Sequence, residues 1–154
     1  MVEYTYHIEK WHENYPELDA IYRQHYQEMC DRQAANGIHL SPYDIRLDQY
    51  LAASHGGWLI SYVARLNGKA IGYCNAYITN DMHNQDLIAQ EDALYVLPEH
   101  RKGVGRKLVQ FGLNDLRDRG VKRLNVSAMV DLRVALMWRR MGFKDSSINM
   151  TFTF

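Results

Sequence analysis

Residues 91–108 read EDALYVLPEHRKGVGRKL, and this stretch organises the rest of the chain. Leu94, Tyr95 and Val96 form a short apolar, strand-like run that stops at Pro98. A loop with Gly103 and Gly105 follows. From Val104 to about Arg119, Leu108, Phe111, Gly112 and Leu116 recur at helical spacing, and Gly120 closes the segment. The first turn of a helix presents unpaired N–H groups and the positive end of the macrodipole. Glycines let backbone approach a phosphate closely, and Arg101, Lys102, Arg106 and Lys107 add charge. A strand, a glycine loop and a helix start in this order make an anion site. A dinucleotide fingerprint needs Gly or Ala where Leu108 stands, and no G-x-x-x-x-G-K-[ST] run is present.

Working outward, Arg123 to Ala128 (RLNVSA) alternates as a strand, so the helix at 104–119 links two strands as a crossover and makes them parallel neighbours. Asp131 caps a last helix through Met141, ended by Gly142. The tail SINMTFTF (147–154) alternates and predicts a final strand, apolar enough through Phe152 and Phe154 to pair across a homodimer. Upstream, WLISYVARL (58–66) and KAIGYCNAYIT (69–79) flank Asn67-Gly68, the type I′ hairpin signature. Asn80 to Ala89 is polar and reads as a loop. Val2, Tyr4, Tyr6 and Ile8 alternate as a first strand. A helix start at Asn14-Tyr15-Pro16 leads to Leu18, Ile21, Tyr22, His25, Tyr26 and Met29 at helical spacing, ending before Gly37. Ser41-Pro42 begins a shorter helix through about Ala53. The element order is β-α-α-β-β-β-α-β-α-β, an α/β (α+β) chain with a mixed sheet and helices on its faces.

The 154 residues fit one domain, 1–154, able to bury a core. The formal net charge of zero conceals a split: residues 1–98 carry 6 basic and 13 acidic side chains, residues 99–154 carry 12 and 5. That asymmetry concentrates positive charge around the glycine loop and argues against a nucleic-acid partner, because at least four of the basic residues serve the loop itself. Cys30 and Cys74 make no disulfide framework or metal motif, no histidines fall at metal-ligand spacing, and no metal is expected. No signal peptide or run of ~20 apolar residues is present, so the expectation is a cytoplasmic protein with no membrane partner.

The stretch His100-Arg101-Lys102-Gly103-Val104-Gly105 resembles the pyrophosphate loop of the GNAT superfamily of N-acetyltransferases, [QR]-x-x-G-x-[GA], with His100 in place of Gln or Arg. DLRVALMWRRMGF (131–143) is similar to the family's N-x-x-A-x-x-x-Y-x-x-x-G-F, with Asp131 for Asn, Val134 for Ala and Trp138 for Tyr. These motifs cover about 91–143. HYQEM at 25–29 and the loop around His83 look similar to small members often found in phage genomes. The resemblance implies a mixed, mostly antiparallel central sheet with a β-α-β crossover and helices on both faces. It also implies acetyl-CoA as cosubstrate, held by Leu94, Tyr95, Val96, His100, Arg101, Lys102, Gly103, Val104, Gly105, Arg106, Asp131 and Trp138.

The implied reaction is acetyl transfer to a primary amine of a small molecule or protein, by direct attack in a ternary complex. The amine must lose a proton to a base. Asp92 is the first candidate; in a regular strand it shares a face with Leu94, and Glu91 points to the other. His25 and Glu28, three apart on the first helix, are the others on the acceptor side. Trp138 cannot protonate the leaving thiolate as the usual Tyr does. Water, another tyrosine, or departure unprotonated remain as routes, and a catalytically weak or inactive acyl-CoA-binding module is the alternative reading. The acidic first half gives a mild preference for a cationic acceptor.

Overall fold

A computed structural model describes residues 2–154. Five strands form one sheet in the order β1 (Tyr4–Glu9), β2 (Leu59–Leu66), β3 (Lys69–Asn80), β4 (Leu87–Val96), β5 (Arg123–Asn125). All neighbours are antiparallel except β4 and β5, which are parallel. Helices α1 (Trp11–Ala34) and α2 (Leu47–His55) pack on one face around Trp11, Leu18, Val63 and Tyr73. Helix α3 (Val104–Asp118) packs on the other, around Tyr62, Ile71, Val96 and Leu108. Helix α4 (Leu132–Arg140) follows β5. The mixed sheet covered on both faces and the order of elements through α4 agree with the sequence reading.

Local chemistry explains most boundaries. Asn67 (φ 50°) and Gly68 (φ 81°) both take the left-handed conformation that a type I′ turn needs, and Leu66 pairs with Lys69 across it. Asp131 caps α4, its side chain accepting from the N–H groups of Arg133 and Val134.

Several boundaries differ from the sequence reading. Helix α1 begins at Trp11, after an extended Lys10, and Asn14 lies inside it. Asn14 is buried and donates to Glu9 (3.3 Å) and Ser61 (3.4 Å), tying helix to sheet instead of capping. Residues 41–46 are not helical; Tyr43 and Ile45 reach the core from an irregular wall, with Tyr26 donating to the Ser41 carbonyl at 2.6 Å. The polar stretch 80–89 is a loop only at 81–86: Asn80 ends β3, and Leu87 to Ala89 already belong to β4. A tight connection, with Asp81 N–H donating to the Asp86 carbonyl at 2.8 Å, lets β4 start at Leu87. Strand β5 stops at Asn125 instead of Ala128, and Met129 and Val130 adopt positive φ. The tail forms no strand: Ile148, Met150, Phe152 and Phe154 are all more than 80% exposed and pair with nothing in the sheet.

Candidate active site

Two irregularities in β4 build the site. The first is a bulge opposite β3. Asn75 pairs with Ala93 and Ala76 with Glu91, leaving Asp92 as the extra residue. Above it, Leu94 and Val96 belong to the α3-side core and Tyr95 to the α1-side core; below it, Ala89 is on the α3 side. Alternation therefore changes parity at 91–92. Asp92 turns to the α2 side, opposite Leu94, and its carboxylate accepts from the Tyr50 hydroxyl at 3.0 Å. Regular alternation predicted the reverse, with Asp92 sharing the face of Leu94.

The second irregularity is a fork. Strand β4 pairs with β5 only from Ile88 to Gln90, so from Glu91 to Val96 its far edge has no strand partner. The Glu91 carboxylate sits in the fork and accepts from Ser127 N–H at 3.4 Å, while Ser127's carbonyl accepts from the Trp138 indole at 3.0 Å. Burial pushes Glu91 up to about 7, with the neighbouring Asp92 charge adding to the rise. Sequence reasoning passed over Glu91; the available signal was two adjacent carboxylates at a strand that leads into a glycine loop.

A cleft of about 560 Å³ lies between α1, α2, the 41–45 segment and the sheet. A smaller space of about 90 Å³ fills the fork, walled by Leu94, Ser127 and Trp138. His25, Met29, Asp92 and Ala93 line both, so the two spaces meet at Asp92 and His25. Asp92 is open to solvent through the cleft yet ringed by protein atoms. This crowding raises its carboxyl above the usual range, against the Tyr50 hydrogen bond that lowers it. His25 shares a 2.5 Å hydrogen bond with the Tyr73 hydroxyl and stacks on Tyr95, ring centroids 4.7 Å apart. Burial drops its pKa to about 4, so the ring is neutral at pH 7.

Glu28 lines neither space. It accepts from the Tyr95 hydroxyl (2.5 Å) and from Arg101 (3.0 Å), and these two bonds outweigh burial and hold its carboxyl below the ordinary value. Arg101 also donates to the Val96 carbonyl at 2.8 Å. The guanidinium thus pins the loop to α1 and β4. His100 is likewise structural in its contacts, hydrogen-bonded to the Tyr4 hydroxyl at 3.0 Å. Asp131, besides capping α4, pairs with Arg32 at 3.3 Å.

The candidate anion site is the start of α3. Gly103 (φ 84°) sits where a left-handed conformation is required, and no side chain caps the helix. The first α-helical bond runs from Lys107 N–H to the Gly103 carbonyl, which leaves Val104, Gly105 and Arg106 N–H groups outside the helical pattern. A Cβ on Gly105 would meet only Val96 Cγ2, at 3.8 Å, and one on Gly103 would meet nothing within 4 Å. Packing within the protein does not demand glycine at 105; open space beside free amides does suit a phosphate. Lys102, Arg106 and Lys107 form no ion pair among the described residues.

A helix start with free amides beside an open strand edge, leading to a second cleft, is an arrangement suited to a two-substrate transferase. The chain belongs to the acetyltransferase (GNAT) family, whose family model matches residues 11–143. It is accordingly an acetyl-CoA-dependent acetyltransferase. No curated protein sequence matches it. Its fold is similar to an aminoglycoside acetyltransferase from an uncultured soil metagenomic sample in complex with sisomicin. That match has 16% identity and a TM-score of 0.71, covering 99% of this chain and 96% of that one. An aminoglycoside N-acetyltransferase in complex with CoA gives 15%, 0.70, 100% and 96% for the same measures. A ribosomal-protein-alanine N-acetyltransferase from Brucella melitensis biovar Abortus 2308 gives 13%, 0.71, 99% and 100%. No helix is long and apolar enough to cross a membrane among the described residues.

Proposed function

We propose that the protein acetylates a primary amine by direct attack in a ternary complex, with Asp92 as the base. The observation that carries this reading is the meeting of the two spaces at Asp92, one leading to the open edge of β4 and the other to the aromatic cleft. Acetyl-CoA supplies an activated acyl group as its thioester. The free amides at Val104, Gly105 and Arg106, with Lys102 and Arg106 beside them, suit its pyrophosphate. The unpaired edge at Leu94–Val96 suits its peptide-like arm. Glu28 acts as a positioning residue by holding Arg101 and Tyr95.

Asp92 faces the cleft and, as the carboxylate, takes the ammonium proton, freeing the lone pair that forms the C–N bond; as the C–S bond breaks, the nitrogen sheds its second proton to solvent. Neither cysteine lines either space, so no thiol is placed to carry the acetyl group. Trp138 donates its only N–H to Ser127 and holds the fork; it gives the leaving sulfur no proton. That commitment also favours a second reading, a weakly active acyl-CoA binder.

Release of free thiol from acetyl-CoA with a panel of amines separates the two. Loss of a general base costs about 10²–10⁴-fold, so Asp92→Asn should lower kcat/KM by about 100-fold near pH 7. The deficit should shrink as rising pH deprotonates the amine in solution. A deficit independent of pH removes Asp92 from proton transfer.

A further inference from the structure

The composition of the acceptor cleft narrows the amine. This inference rests on the transfer reading above. Six of the fifteen side chains lining the cleft are aromatic: Trp11, Tyr22, Tyr26, Tyr43, Tyr50 and Tyr73. Two are carboxylates, Asp44 and Asp92, and no Lys or Arg is among them. Several of the polar groups are already engaged. Tyr50 donates to Asp92, Tyr26 donates to the Ser41 carbonyl, and Tyr73 shares its hydroxyl with His25. Of the four buried polar groups without a protein partner among the described residues, two are here, the Tyr22 hydroxyl and Asn75 Oδ1. Both residues line the cleft.

An oligosaccharide-like polyamine brings many hydroxyl and ammonium groups. Each one desolvated without a partner costs about 1–3 kcal/mol, and these walls offer few partners. A single ammonium on a flat apolar frame meets the opposite situation. The frame stacks among rings, the cation gains their quadrupoles, and the carboxylates balance its charge. The cleft is large enough for such a molecule and mostly apolar, as small-ligand sites are.

We propose that the acceptor is a monoamine carried on a flat aromatic frame, an arylalkylamine, with its nitrogen at Asp92 and room for one further polar group at Tyr22 and Asn75. The reaction balances as before: the ammonium proton goes to Asp92, the C–N bond forms, the C–S bond breaks with departure of the thiolate, and the second nitrogen proton passes to solvent.

The test uses the full chain with acetyl-CoA and equal concentrations of 2-phenylethylamine, tyramine, spermidine and kanamycin, read as thiol release. The two arylalkylamines should exceed spermidine and kanamycin in kcat/KM by about tenfold or more, the worth of one desolvated cation–π contact. Tyr43→Ala should raise KM for 2-phenylethylamine with a smaller change in kcat, and Tyr43→Phe should restore it. Calorimetric titration of 2-phenylethylamine into the CoA-loaded protein is the second measurement. Saturable binding without turnover of any amine would overturn the transfer reading and leave the cleft assignment standing. Preferential turnover of kanamycin or spermidine, or no saturable binding of 2-phenylethylamine, overturns the cleft assignment.

Discussion

Replacing Glu91 by Gln should stabilise the protein, and only at the alkaline side of its titration. Folding lifts this carboxyl from an ordinary 4.5 to about 7 because the fork desolvates it beside Asp92. A folded-state pKa above the unfolded one gives stability that is complete below pH 4.5 and declines as pH rises through about 7. The full gap corresponds to about 3 kcal/mol at pH 8. Glu91 keeps partial solvent access, and its bond from Ser127 is a long 3.4 Å, so about 2 kcal/mol is a better expectation. The Gln oxygen can still accept from Ser127, and no charge is left in the fork. For a chain of this size, that is a rise in Tm of about 4–8 °C at pH 8. At pH 4.5 the two proteins should melt nearly together. Thermal unfolding followed by circular dichroism across pH 4.5–8 reads the difference directly. Asp92→Asn should shrink it, since the Asp92 charge contributes to the rise in Glu91. A gain independent of pH, or a loss at pH 8, would mean that Glu91 is ionised and satisfied in the fork.

Other expectations concern the loop and its supports. Gly105→Ala should leave Tm unchanged or slightly raised, since its Cβ meets only Val96 at 3.8 Å, and should weaken CoA binding about tenfold in calorimetry by filling the phosphate approach. Glu28→Gln should raise KM for acetyl-CoA up to about fivefold, the scale of one partly exposed ion pair, with kcat little changed. Trp138→Phe removes the indole bond to Ser127 and should cost about 1 kcal/mol of stability. Trp138→Tyr should not raise turnover if protonation of the leaving group is not limiting, which steady-state thiol release measures.

The elements that were legible in sequence are those whose signal is local. Asn67-Gly68 fixes its turn by its own dihedral preferences, and Asp131 fixes the start of α4 with its own oxygen. The loop glycines carry their message in the same way. What sequence missed depends on partners distant in the chain. Leu87 to Ala89 reads as part of a polar loop until β3 lies beside it. Ser41-Pro42 looks like a helix start, but Tyr26 claims the Ser41 carbonyl and the apolar residues after it reach the core without helical turns. The tail alternates like a strand, yet alternation supplies no partner. The bulge is the most consequential case. It moves Asp92 from the α3 face to the cleft and delivers Glu91 to the fork, and nothing in EDA marks an extra residue. The sequence singles out Asp92 on a face that regular alternation would aim away from the cleft, and it is the bulge that turns the side chain into it.

The charge split also acquires a different meaning. The acidic excess of residues 1–98 does not collect at the acceptor cleft. Glu9 and Glu17 clasp Arg65, Asp19 holds Arg23, Glu28 holds Arg101, and Asp81 and Asp86 hold Arg123. Two of those arginines, Arg101 and Arg123, come from the basic second half, so part of the imbalance is spent joining the halves. Only Asp44 and Asp92 face the cleft, among rings. A cleft selective for polycations would need many uncommitted carboxylates, because each exposed pair contributes little on its own. One carboxylate at the junction of the two spaces is enough for one ammonium. On the basic side, Lys102, Arg106 and Lys107 remain unpaired around free helix amides. On the proposed reading, the cofactor side of the site would rely on dispersed positive charge, and the acceptor side on shape, aromatic surface and a single base.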